Sequence, residues 1–313
     1  MKAQKGSKKV LFAPKRALVI VKQTMKELVD SSDDERLKQL LHPDNPDRQR
    51  IIASDKEHQL THEHVVDVLI NNDMTYRCVE RAPGEHFETD EDLVITIGGD
   101  GTFLDASHSI RSDVPVLGVN SAPGTSHGHY CLTNRTGFTK TLSGIIAGKI
   151  KYRPLIRLRL TLDGVELAEP ILNEVLISHK IPAGTTRYKL SIGGKTGEKK
   201  SSGLIVTTAS GTTGLNLSAG GKLLPIASSS FAFSTLAPFL PPGSNTELLK
   251  GKLPEDAIVT VVSEMVNGQI FLDGAHITYD FGRGSKLVID AGAPSLNAFI
   301  DKRCHDNYRE VGS

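Results

Sequence analysis

Residues 95–108 read ITIGGDGTFLDASH, and their types and spacing suit chemistry on a phosphate. An apolar strand runs into Gly98 and Gly99, an acid follows at Asp100, and Gly101 and Thr102 lead into a helical pattern through Phe103 and Ala106. Glycines there let the backbone approach a phosphate closely, and a helix N-terminus supplies N–H donors and a positive dipole. A plain strand-to-helix turn does not require three glycines around an acid. The carboxylate fits only where something besides phosphate is bound: it accepts a proton from a substrate hydroxyl, or holds Mg2+ that bridges phosphate oxygens. Phosphoryl transfer asks the protein for positioning, charge neutralisation and an in-line nucleophile. One acid among phosphate-cradling amides meets that demand, whereas simple nucleotide binding has no use for it.

The surrounding elements must hold this turn. RALVIVK (16–22), LVITI (93–97) and VPVLGV (114–119) are compact apolar runs, as expected of parallel strands covered on both faces, and TYRCVER reads as a further strand. DSSDDERLKQLLHPDNPDRQR suggests a short helix and then a loop. Ser54 with Glu57 forms a capping-box pattern, and Val65, Val66, Leu69 and Ile70 continue at helical spacing, which predicts a helix from about 55 to 72. Strands alternating with helices over residues 1–150 predict an α/β domain with an open, mostly parallel sheet. Such sheets bind ligands in the crevice at the carboxyl ends of their strands, where residues 98–102 and 120–128 fall.

Near residue 150 the texture changes. RPLIRLRLTLDGVEL alternates with period two around Asp163-Gly164, a strong hairpin signal, and YKLSIGG, GLIVTT, AIVTVVS, GQIFLDG and KLVIDAG follow. The second half therefore reads as a mainly antiparallel β domain. SLNAFID is read as a short helix or strand.

The 313 residues exceed the usual single-domain size of about 100–200, which makes two domains the default. The 38% hydrophobic and 23% charged residues are an ordinary globular composition. Thirty-seven basic against 36 acidic side chains, a formal charge of +1, give no overall field toward nucleic acid or membrane, and no apolar run approaches the roughly 20 residues needed to span a bilayer. Three scattered cysteines, Cys78, Cys131 and Cys304, argue against a disulfide framework and for a reducing compartment, read as cytoplasmic. MKAQKGSKKVLFAPKR carries six positive charges and no acid but lacks a signal's apolar core; it reads as a solvated tail, with a mitochondrial leader as the alternative.

Some patterns imitate sites. GTSHG (124–128) satisfies G-x-S-x-G at Ser126, but a nucleophile elbow needs a strand immediately before it and a helix after, and PVLGV ends too early. GGKTGEKK (193–200) lacks the first glycine of a P-loop, since that position is Lys189; it reads as a hairpin turn whose Lys195, Lys199 and Lys200 are solvated. His62 with His64, and His127 with His129, have no third ligand at metal spacing and read as surface or loop histidines.

GGDGT occurs together with LNEV (172–175) and TASGTTGLNLSAGG (208–221), and this combination resembles the NAD kinase family from the first strand to FLDG (271–274). GGDGT alone is shared with diacylglycerol, sphingosine and phosphofructokinase relatives; the other two motifs carry the specificity. The resemblance implies transfer of the γ-phosphate of ATP to the 2'-hydroxyl of the adenosine ribose of NAD or NADH. It implies Asp100 as catalytic base, Gly98, Gly99, Gly101 and Thr102 as the diphosphate loop, and Asn173 and Glu174 on the adenosine moiety, the carboxylate suiting a ribose diol. Thr213, Gly214 and Ser218 match adenine and ribose contacts, and Asn120 a cleft residue. Two positions depart from the common pattern: Ser202 stands where most members have Asp, and Leu215 where they have Tyr. EKKSSGL (198–204) and PVLGVNSAPGTSHGHYCL (115–132) are similar to the mitochondrial-type branch, in which Ser at position 202 is normal.

The resemblance further implies an NAD-binding β domain over 151–290, a C-terminal segment, 291–313, returning to the first domain, and an active site between the domains. Mg2+ is expected to arrive with ATP rather than at a dedicated protein site, and the partners are NAD or NADH, ATP and a second copy of the chain, as homodimer or homotetramer. The alternatives are a lipid or sugar kinase sharing only GGDGT, against which the lack of an apolar stretch beside LNEV weighs, and a non-catalytic dinucleotide sensor, against which Asp100 weighs.

Overall fold

This computed structural model describes residues 12–81, 86–243, 246–301, 304, 305 and 308, so most of the basic N-terminal stretch lies outside it. The described residues divide into two compact units, one from 12–81, 90–103 and 114–152, the other from 86–89, 104–113 and 153–308.

In the first unit, β1 (Arg16–Val21), β2 (Thr75–Glu80), β3 (Leu93–Gly98), β4 (Val116–Asn120) and β5 (Cys131–Asn134) pair in parallel in the order β2-β1-β3-β4-β5. β3 and β4 are buried along their whole length, which is why they read as unbroken apolar runs. The helices are α1 (Met25–Asp30), α2 (Glu35–Lys38), α3 (Arg48–Asn71), α4 (Asp100–Ser109) and α5 (Phe138–Ile146), and the division between units falls within α4. α5 buries Phe138, Thr141, Leu142 and Ile145, one stripe at helical spacing.

The second unit contains β6 (Arg153–Leu162), β7 (Val165–Glu166), β8 (Glu174–His179), β9 (Thr186–Ile192), β10 (Lys195–Ser201), β11 (Gly203–Thr207), α6 (Leu215–Ser218), β12 (Phe231–Leu236), β13 (Lys250–Leu253), β14 (Val259–Ser263), β15 (Gly268–Leu272), β16 (Ile277–Asp280) and β17 (Lys286–Phe299). They form two antiparallel sheets, β10-β9-β14-β17-β6-β7 and β13-β12-β11-β8-β15-β16. Leu158, Leu190, Val261 and Ile289 from the first pack with Val175, Ile177, Val206, Phe231 and Ile270 from the second in one core. Each such side chain contributes roughly 1.5–3 kcal/mol when fully buried. The Asp163-Gly164 hairpin has positive φ at both residues, 50° and 87°, the geometry that matches the twist of its strands. SLNAFID is the end of β17, with Leu296 opposite Leu155.

The fold class read from the sequence holds, with two local corrections. α3 begins at Arg48, so Ser54 lies inside the helix and does not cap it. A capping box needs an extended residue at its head, and here the chain has already turned helical nearly two turns earlier, and Ile51 and Ile52 are half-buried within it. The box is built instead at α1, where Thr24 Oγ1 accepts from Glu27 N and Glu27 Oε2 accepts from Thr24 N. Lys199, expected in solvent, is 9% exposed; its Nζ donates to the Glu247 carbonyl, and burial lowers its pKa. None of the cysteines forms a disulfide, and among the described residues no helix is long and apolar enough to cross a membrane.

Candidate active site

The glycine turn is set by close contact. A Cβ on Gly98 would stand 2.1 Å from Thr102 Oγ1, and one on Gly99 2.5 Å from Ser126 Oγ. The turn can therefore press Thr102 beneath it and receive the 121–130 loop beside it only with glycines there. Asp100 is the first residue of α4, where a negative charge is favoured by the helix dipole. Its Oδ1 accepts the backbone N–H of Tyr130 at 2.8 Å, and the carboxylate makes no other hydrogen bond among the described residues, so one oxygen remains available. Tyr130 stacks on Phe103, ring centroids 5.2 Å apart, which ties that amide to the first turn of α4. Burial, helped by the charge of Asp100, pushes the Cys131 thiol up to about 12, so it is no nucleophile at neutral pH.

Asn120, at the end of β4, is buried and shapes the neighbouring loop. Its Nδ2 donates to the Ser126 carbonyl and its Oδ1 accepts from Ala122 N. Ser126 lies in this loop and not on a strand-to-helix elbow, as its sequence context predicted.

In the second unit, the LNEV segment is held by a residue that sequence reasoning did not single out. Asp273, whose side chain is fully buried, accepts the backbone N–H groups of Leu172, Asn173 and Glu174 at 2.8–2.9 Å and faces His108 Nε2 at 2.9 Å. From the other side Thr208 and Ser210 hydroxyls donate to the Leu172 carbonyl, and the Thr207 hydroxyl to that of Asn173. The 210–214 turn packs so closely that a Cβ on Gly211 would meet the Asn173 carbonyl at 2.3 Å. Asn173, Glu174 and Gly214 are thus brought together, since a Cβ on Gly214 would stand 3.3 Å from Glu174 Oε2. Thr213 is half-buried beside them, and Ser218, at the end of α6, is exposed.

Glu174 is the electrostatic anomaly. Its Oε2 is buried without a hydrogen-bond partner among the described residues, and burial, reinforced by the charge of Asp273, pushes its carboxyl up to about 8. A buried carboxyl with a vacant acceptor is a costly arrangement that a hydroxyl-bearing ligand relieves. Ser202 stands apart. Leu204 pairs with Ile177 and Thr207 with Glu174, so Ser202 precedes the far end of β11, roughly 16 Å along the strand from Thr207. It lines a cavity of about 410 Å³ together with Gly184, Arg187, Lys200 and Phe239.

An acid at the head of a helix, set in a glycine turn at the carboxyl end of a parallel sheet, is the arrangement of a phosphoryl-transfer enzyme. Comparison with known proteins agrees. Residues 10–150 match the family described as ATP-NAD kinase N-terminal domain. The chain is 34% identical over 232 residues to a probable NADH kinase of Oryza sativa subsp. japonica, covering 67% of this chain and 71% of the relative. It is 32% identical over 265 residues to an NADH kinase of Arabidopsis thaliana, covering 75% and 80%. A crystal structure of an NAD kinase from Archaeoglobus fulgidus in complex with ATP shares the fold, with a TM-score of 0.65 at 20% identity over 93% of this chain and 96% of that one. The chain belongs to the NAD kinase family.

Proposed function

We propose that the chain takes MgATP and NAD or NADH and transfers the γ-phosphate to the 2'-hydroxyl of the adenosine ribose, giving NADP or NADPH. The observation that carries the acceptor assignment is Glu174: a buried carboxyl with a vacant oxygen, beside Asn173 and under a glycine turn, suits a ribose diol. In this reading the glycine turn, with Gly98, Gly99, Gly101 and Thr102, faces the phosphates, and Asn120 shapes the loop beside it. Asp100 accepts the 2'-hydroxyl proton as that oxygen attacks the γ-phosphorus and the bond to the β-phosphate oxygen breaks. Thr213, Gly214 and Ser218 border the nucleoside.

The distance of Ser202 along its chain segment from Thr207, the residue that pairs with Glu174, supports a second part of the reading. The chain works as a homodimer or homotetramer, with Ser202 serving a neighbouring copy. Ile181, Phe239 and Leu240, 60%, 65% and 44% exposed, surround that end of the sheet and suit contact with another subunit.

Incubating purified protein with MgATP and either NAD or NADH, and separating the products, tests the assignment. The expected product is 2'-phosphorylated. Asp100→Asn keeps the oxygen that accepts Tyr130 N–H, so it should fold normally while kcat falls about 10²- to 10⁴-fold. Near-normal turnover in that variant sinks the role of Asp100.

A further inference from the structure

Helix α3 buries Asp55, His58, Thr61, Val65, Val68 and Leu69, one stripe at helical spacing whose first half is polar. Burying an acid and an imidazole against a sheet gains nothing from apolar contact, so each must answer a polar partner. The partners lie in the segments that leave the strands on either side of β3. Asp55 accepts from the hydroxyl of Thr24, three residues beyond the end of β1, at 2.6 Å. His58 Nδ1 is hydrogen-bonded at 2.8 Å to Oγ of Ser121, the residue that follows β4. Both members of this second pair are shut off from solvent, His58 at 3% and Ser121 at 0% exposure. Burial, helped by the charge of Lys22, pushes the imidazole down to about 4, so it is neutral at pH 7 and the pair buries no charge.

The same two segments hold the entrance to the glycine turn. The N–H of Lys22 donates to the Ile97 carbonyl and the N–H of Ser121 to the Gly98 carbonyl, each at 3.0 Å. Because β1 and β4 flank β3, its last two carbonyls are fixed from opposite sides. The strand stops at Gly98, Gly99 follows, and Asp100 begins α4. Ser121 thus carries one bond to α3 through its side chain and one to the turn through its backbone. It also begins the loop that ends at Tyr130, whose N–H donates to Asp100 Oδ1. A shift of Ser121 therefore reaches the carboxylate by two routes, through Gly98 and through Tyr130.

We propose that His58 is a positioning residue for the phosphoryl transfer: through Ser121 it fixes the carboxyl end of β3 and so sets where Asp100 stands. The assignment deepens the kinase reading above and rests on it for the role of Asp100. A histidine that served packing alone would affect stability and leave the turnover of each folded molecule unchanged.

The test uses the full chain with His58→Leu, Ser121→Ala, the two combined, and His58→Asn, whose amide keeps a hydrogen-bonding atom at the Nδ1 position. Each variant is measured for kcat, KM for NAD and melting temperature, and the exchange of the Ser121 amide hydrogen is followed by NMR. His58→Leu and Ser121→Ala should each lower kcat about 10- to 100-fold, the effect of a misplacement of about 1 Å, and leave KM for NAD within about twofold. His58→Asn should recover most of the loss. The double variant leaves neither buried group without its partner, so its melting temperature should exceed that of Ser121→Ala while its kcat stays as low as in the single variants. The Ser121 N–H should exchange at least about tenfold faster in His58→Leu than in the parent, while amides of β8 and β11 keep their rates. Near-normal kcat in folded Ser121→Ala, a kcat that recovers with melting temperature in the double variant, or no recovery in His58→Asn each overturns the role. A parent protein that phosphorylates neither NAD nor NADH defeats the kinase reading, whereas an unchanged Ser121 exchange rate in His58→Leu defeats the positioning by itself.

Discussion

The residue with most to reveal is Glu174. With its carboxyl pushed up to about 8, it is mostly protonated at pH 7 in the free protein. Two ribose hydroxyls donating to it favour the ionised form, so binding should expel the proton. Calorimetric titration of NAD at pH 7 in buffers of different ionisation enthalpy should show release of most of one proton per site, and Glu174→Gln should abolish it. A parent protein whose binding heat does not depend on the buffer would refute this role. The same shift sets a stability trend with a definite sign. The folded value lies above the ordinary 4.5, so the contribution of Glu174 is fully present below about 4.5 and is lost as pH rises toward 8. Glu174→Gln should therefore lose melting temperature less steeply than the parent protein between pH 5 and pH 9.

Among the elements, the β15–β16 turn decides where Asn173 and Glu174 stand. Asp273 sits in that turn at φ 48° and gathers three consecutive backbone N–H groups from about a hundred residues earlier in the chain. Asp273→Asn replaces one acceptor oxygen by an NH2 facing buried donors, which should cost about 2–5 kcal/mol, read as a lowered melting temperature. Because a misplacement of about 1 Å can cost as much as 100-fold, KM for NAD should rise at least about tenfold while ATP binding persists. An unchanged KM for NAD would confine Asp273 to a purely structural role. α4 is held at its other end by Arg157, fully buried, whose Nη1 donates to the Ser107 and Ile110 carbonyls. Burial brings that guanidinium down to about 10.

What could be read in the sequence follows from the range of each interaction. The glycine turn, the Asp-Gly hairpin and the buried strands are local signals, and all appear as read. Asp273 looks like an ordinary hairpin residue until the N–H groups it binds are folded against it. Ser54 misled because its capping signature is local too, and the competing start at Arg48 lies nearly two turns earlier.

For the whole molecule, a net charge of +1 means that anionic substrates must be captured by local groups and not by a global field. The reading in which copies of the chain share sites places Asp100 and Ser202 in the service of different active centres, and this can be examined without a structure of the assembly. Ser202 is exposed at a cavity rim, so Ser202→Trp should fold normally while obstructing any neighbour that docks there. Asp100→Asn alone should be nearly inactive, and Ser202→Trp alone strongly impaired. If the two variants are mixed and allowed to exchange subunits, some assemblies contain an intact Asp100 centre served by an intact Ser202 from the other variant, and activity should rise above the sum of the two separate preparations. Light scattering on the mixture establishes that assemblies form. Formation of assemblies with no gain in activity would mean that Ser202 does not act across subunits, and would leave the dinucleotide site to be completed within one chain.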